Sequence, residues 1–137
     1  MIFDCIIIGG GAAGCFAAAN IMEQCPDAKV LLLEKSGKLL SKVRISGGGR
    51  CNVTHRFIDI PSFAVNYPRG EKFMRRILHH FSPVSTFEWF ENRGVSLKTE
   101  ADGRVFPVSN NSDSVIQCLM REMDGVKINM HEGAKHI

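Results

Sequence analysis

The chain has 137 residues and a mass of 15.2 kDa, with 45% hydrophobic and 23% charged residues. That is the usage of one globular domain, and it excludes a disordered, collagen-like or coiled-coil chain. Seventeen Lys and Arg against 14 Asp and Glu leave a net charge of +3, too mild to imply nucleic acid as a partner.

Ile2 to Ile8 reads as a short apolar strand, and its lack of polar alternation predicts a buried position in a parallel sheet. The uncharged run continues to Met22, yet it is neither a secretion signal nor a membrane span. The only charged side chain ahead of it is Asp4, where a signal has Lys or Arg, and four glycines divide it. Ala12 to Gln24 reads as an Ala-rich helix stopped by Pro26, and Lys29 to Glu34 as a second apolar strand. This is a β-α-β unit, which requires parallel strands and right-handed winding. Residues 35–69 show no strong periodicity and read as a long functional excursion.

Gly70 to Phe81 reads as a helix with Phe73, Ile77, Leu78 and Phe81 on its inner face. Ser82-Pro83 predicts a capped start for a second helix running to about Arg93, with Val84, Phe87 and Phe90 inward and Gly94 as its stop. Val95–Thr99 and Arg104–Val108 flank Asp102-Gly103, a hairpin signal. Asn111 or Ser112 caps a helix carrying Val115, Ile116, Leu119, Met120 and Met123 on one side. Gly125 ends it, and Val126 to Met130 is a last strand. The five cysteines form no CxxC pair, so no metal site or disulfide framework is expected, and a reducing cytoplasm is the expected compartment.

Two motifs carry chemistry. GGGAAG places Gly9, Gly11 and Gly14 in the GxGxxG pattern between a strand and a helix. Gly9 permits the turn, Gly11 lets a pyrophosphate approach the backbone, and Gly14 lets helix and sheet pack closely. Ala12 and Ala13 open the helix whose amides and dipole favour phosphate. Glu34, twenty residues after Gly14, suits ribose hydroxyls and would repel a 2′-phosphate. FAD and NAD both use this fingerprint.

The second motif is SGGGRCN, residues 46–52. Three consecutive glycines suit a backbone pressed against a flat or charged ligand. Arg50 offers a fixed positive fork for phosphate or the anionic edge of a reduced flavin, and Asn52 offers donor and acceptor. Cys51 is expected to pack or to contact through its backbone and not to act as a redox thiol, and His55 is expected to be a plain polar loop residue. This second loop favours FAD, with NAD(P)H as reductant.

GGGAAG, then Leu33-Glu34-Lys35, then Lys42 to Thr54, resembles the BaiN/YhiN-like bacterial flavoproteins, a family of NAD(P)/FAD-dependent oxidoreductases. The resemblance continues through Arg93 to Ser109, with its DGRVFPVS string, and covers Ile2 to about Ile137. It implies an α/β, Rossmann-like βαβ FAD-binding fold of three layers. It places pyrophosphate on Gly9 to Gly14 and the adenosine ribose on Glu34, beside Lys35. It puts Ser46, Gly48, Gly49, Arg50, Cys51 and Asn52 along the FAD, with Lys42 as the basic residue before that loop and Ala134 near the adenine. Arg44 and His55 depart from the family's usual residues. Members are longer, so residues 1–137 are expected to be the N-terminal portion of the FAD-binding domain, incomplete and without a substrate domain. No catalytic residue is assigned in this stretch. The implied protein is an oxidoreductase of a small-molecule substrate, with no nucleic-acid or membrane partner. The alternative is a truncated, non-catalytic nucleotide-binding chain that associates with another chain or with itself.

Overall fold

The computed structural model of the chain describes residues 1–134, so the last three residues of the expected 1–137 domain lie outside it. β1 (Cys5–Ile8), α1 (Ala12–Gln24) and β2 (Val30–Glu34) form the expected unit, with β1 parallel to β2 from the Cys5–Val30 pair to the Ile8–Leu33 pair. The excursion holds short elements: α2 (Ser41–Ile45), a 3-10 turn (Ser46–Gly49), β3 (Thr54–His55) and α3 (Ile60–Ala64). A helix of five residues is too short to show a hydrophobic period, which is why the sequence reads as loop there.

α4 (Glu71–His80) and α5 (Pro83–Glu91) follow. Ser82 starts α5 as expected: its Oγ accepts from the Ser85 amide at 3.2 Å, and Ser85 Oγ accepts from the Ser82 amide at 3.0 Å. β4 (Leu97–Thr99) and β5 (Arg104–Pro107) form the hairpin across Asp102-Gly103, and β3 pairs antiparallel with the other side of β5. α6 (Asp113–Glu122) starts where Asn111 Oδ1 accepts from the Asp113 amide at 2.9 Å. β6 (Lys127–Met130) runs parallel to β2 on the side away from β1, giving the order β1-β2-β6.

α1 and α6 cover one face of this parallel sheet. Cys15, Ala18 and Ala19 meet Leu32 and the buried Val115, Ile116, Cys118 and Leu119 in one core. The small side chains of α1 permit that close approach. No described helix covers the opposite face, so this is a partial Rossmann fold with two of the expected layers. Ile6 and Ile8 are 56% and 55% exposed there, which corrects the expectation of a fully buried first strand. The expected inner face of α4 is corrected too. Leu78 is buried, whereas Phe73 is 59% exposed and Ile77 and Phe81 are also open, because α3 is the element packed along α4. Val84 and Met120, both expected inward, are exposed. None of the described helices is long and apolar enough to cross a membrane.

Candidate cofactor site

The first glycine turn is built as its spacing requires. Gly9 has φ +102° and donates its amide to Leu33 O at 2.8 Å, which ties the turn to the end of β2. A Cβ on Gly14 would overlap the Gly9 carbonyl oxygen, so helix and strand could not pack as they do. Gly11 is the residue before α1, and the space a Cβ would enter there is empty. The first amides of α1, at Ala12, Ala13 and Gly14, have no intrahelical acceptor and no side-chain cap. Gly10 was not singled out by the motif. A Cβ there would overlap Leu39 and crowd Glu34.

Glu34 is clamped against this turn. Its Oε2 accepts from the Gly10 amide at 2.7 Å, and its Oε1 accepts from the Ser36 amide at 2.8 Å. The backbone and side chain of Ser36, then the Gly10 amide, lower its pKa from 4.5 to about 2, so the group is a carboxylate at neutral pH. Lys35 beside it is exposed. The backbone after β6 returns to this corner: the amides of His131 and Glu132 donate to Ser36 O at 3.2 Å and Glu34 O at 3.0 Å. Ala134 follows two residues later and is exposed.

The second motif takes a left-handed path. Gly47, Gly48 and Gly49 have φ of +56°, +68° and +87°, and buried Cys51 has φ +62°. Cys51 donates its amide to Ser46 O at 2.9 Å, and Gly49 O accepts from the Ser112 amide at 2.9 Å. With its nitrogen turned inward, the Asn52 amide donates to Thr54 O at 2.8 Å and Val105 O at 3.2 Å. Burial raises the Cys51 thiol above its ordinary pKa and pushes Cys15 up to about 11, so neither is a thiolate at neutral pH.

An apolar cleft of about 540 Å³ joins the two motifs. Ala12 and Ala13 line one side, and Lys42, Ser46, Cys51 and Asn52 line the other. Phe16, Phe81, Phe90, Val115 and Leu119 complete its wall. Phe16 comes from α1 itself; the others come from the end of α4, from α5 and from α6, and carry no local signal beyond apolarity. The other expected contributors do not line it: Glu34, Lys35 and Ala134 belong to the corner at the end of β2, Gly9, Gly11 and Gly14 to the turn beside it, and Gly48 and Gly49 to the left-handed loop. Arg50 is turned to the hairpin, where its Nη1 donates to Glu100 Oε1 at 2.6 Å. The His55 ring packs against Gly103, facing the carbonyl oxygens of Asp102 at 3.1 Å and Arg56 at 3.2 Å.

Residues 3–137 match the HI0933-like protein Rossmann domain. The chain belongs to this family. It is the BaiN/YhiN-type flavoprotein family that the two glycine motifs resemble. Relatives include the 3-dehydro-bile acid delta(4,6)-reductase of Clostridium scindens, 32% identical over 129 residues, which are 94% of this chain and 31% of that protein. The ribosomal RNA dihydrouridine synthase of Escherichia coli K12 is 28% identical over 122 residues, covering 89% of this chain and 29% of that one. The chain thus spans about a third of the curated relatives it matches. Among solved structures, an Escherichia coli quinol fumarate reductase FrdA variant shares the fold over 93% of this chain and 25% of its own, with a TM-score of 0.59 at 17% identity.

Proposed function

We propose that this chain is the FAD-binding part of an NAD(P)H-dependent oxidoreductase acting on a small molecule. When bound, FAD would supply hydride acceptance and donation at its N5. The chain's own residues bind and orient. The free amides at the start of α1 receive the pyrophosphate over Gly11, where no side chain intrudes. Glu34 accepts from the ribose hydroxyls. Residues 46–52 and the apolar cleft shelter a flat ring from water. The carboxylate of Glu34 bonded to the Gly10 amide carries this reading, because it sets an ionised acid and a row of unused donors around one corner. The five unpaired cysteines favour a reducing, cytoplasmic compartment.

The test is a titration of the chain with FAD, followed by the fluorescence of its single tryptophan. Trp89 lies 4.9 Å from the ring of Phe16, which lines the cleft. Saturable quenching is expected, weakened at least tenfold in Glu34→Ala. Absence of any saturable signal, with no flavin retained on gel filtration, overturns the reading.

A second reading has its own observation. The exposed apolar edge at Ile6 and Ile8 favours a nucleotide-binding chain that works through association with another chain. In that case FAD binds but NAD(P)H is not oxidised until a partner is added. No nucleic-acid partner is proposed. Arg75 on the basic helix α4 is already paired with Glu71 at 2.6 Å, and a solvated face accounts for the rest.

A further inference from the structure

The sequence holds two unusual strings, SGGGRCN and DGRVFP, and the second has no role in the binding reading above. In space they are one unit. Phe106 of the second string is fully buried and lies beneath the first. A Cβ on Gly47 would come within 2.8 Å of the Phe106 ring, and the Arg50 guanidinium stacks 3.8 Å from its centroid. Glu100, just before the hairpin turn, closes the arrangement through its 2.6 Å ion pair with Arg50. Both side chains are about 70% buried, so the pair is shielded from full solvent screening. Arg104 approaches the same carboxylate at 3.8 Å but is held more closely by Asp102 at 2.7 Å.

We propose that Glu100 is a positioning residue for the flavin-facing loop: its carboxylate pins Arg50 flat on Phe106 and so fixes both the path of residues 46–52 and the charge they present. This rests on the FAD reading for the electrostatic part, while the loop-fixing part stands on geometry alone. The physical logic is direct. Four left-handed residues in a stretch of five have only a single 3-10 turn and the Cys51–Ser46 backbone bond of their own to hold them. Their conformation is kept by contacts to the hairpin and to α6. Arg50 is the one charged tether, and a lone guanidinium on an aromatic face is held far more weakly than one also bonded to a carboxylate. Neutralising Glu100 frees Arg50 to swing from the hairpin and leaves its positive charge uncompensated, which favours reduction of a flavin bound along residues 46–52.

Two measurements on the full chain test this. The first is amide hydrogen exchange without ligand. Glu100→Ala is expected to speed exchange of residues 46–52 about tenfold while α1 is unchanged. Should that variant fail to fold, Glu100→Gln carries the same measurement. Unchanged exchange in a folded Glu100 variant overturns the proposal. The second is the reduction potential of bound FAD. Glu100→Gln is expected to raise the ratio of reduced to oxidised flavin at fixed poise about tenfold, roughly 30 mV for a two-electron couple. The shift should vanish in an Arg50→Gln background, because the effect passes through Arg50. A shift of equal size in both backgrounds means a direct field of Glu100 on the ring and overturns the positioning role. If the unmodified chain binds no FAD, the functional reading fails, and the exchange result alone decides the claim about Glu100.

Discussion

At the scale of single residues, Glu34 joins fold and site, and its titration makes that visible. The folded carboxylate titrates near 2 against an ordinary 4.5, so it binds its proton less readily when folded. Its contribution to stability is therefore full above pH 4.5 and fades as the pH falls towards 2. Thermal unfolding followed across that window should show a steeper loss for the natural chain than for Glu34→Gln. Equal slopes would mean that the amide bonds do not hold the acid. Two of the three motif glycines should separate binding from folding. Gly11 faces open space, so Gly11→Val is expected to fold while losing FAD affinity at least tenfold. Gly14→Ala collides with the Gly9 carbonyl and should cost about 1–3 kcal/mol in urea unfolding. A Gly14→Ala chain as stable as the natural one would refute that packing.

At the scale of elements, stability rests on short, well-ended pieces. The reciprocal pair at Ser82 and Ser85 is the clearest local cap, and Ser82→Ala should lower the unfolding free energy by about 1 kcal/mol by chemical denaturation. Elements with local chemistry were legible in the sequence: α1 has its read bounds, and the Asp102-Gly103 hairpin and the Ser82-Pro83 start are where the residues put them. The glycine turn and its acid were legible for the same reason, since fixed spacing encodes them. What escaped depends on partners far along the chain. The Arg50–Glu100 pair joins residues fifty apart, so Arg50 reads as a free phosphate fork until the fold is seen. The open flank of α4 escaped because Phe73 and Ile77 have helical spacing whether or not anything covers them. Buried Leu40, the residue before α2, has φ +56°, a conformation no propensity predicts for leucine.

At the scale of the whole molecule, the surface is large for the mass. Surface scaling gives roughly 7,100 Å² for a compact fold of this size, against the observed 8692 Å². Exposed apolar side chains contribute to it, at Ile6 and Ile8 on the edge strand β1 and at Phe73 on α4. β1 carries no charge, proline or bulge to discourage pairing. Sedimentation at rising concentration should show self-association. The double variant Ile6→Lys, Ile8→Lys should stay monomeric with unchanged circular dichroism. A natural chain that stays monomeric throughout would argue that the edge is inert.

The strand order also sets a timetable. β2 lies between β1, made just before it, and β6, whose Lys127 is the partner of Leu31. At ribosomal speeds of about 5–20 residues per second, the central strand would wait roughly 5–20 s for its second neighbour. α6, which roofs Leu32, also emerges late. The nascent chain therefore carries a half-built sheet while the residues between β2 and β6 are made, and that interval is when a chaperone would find the most to hold.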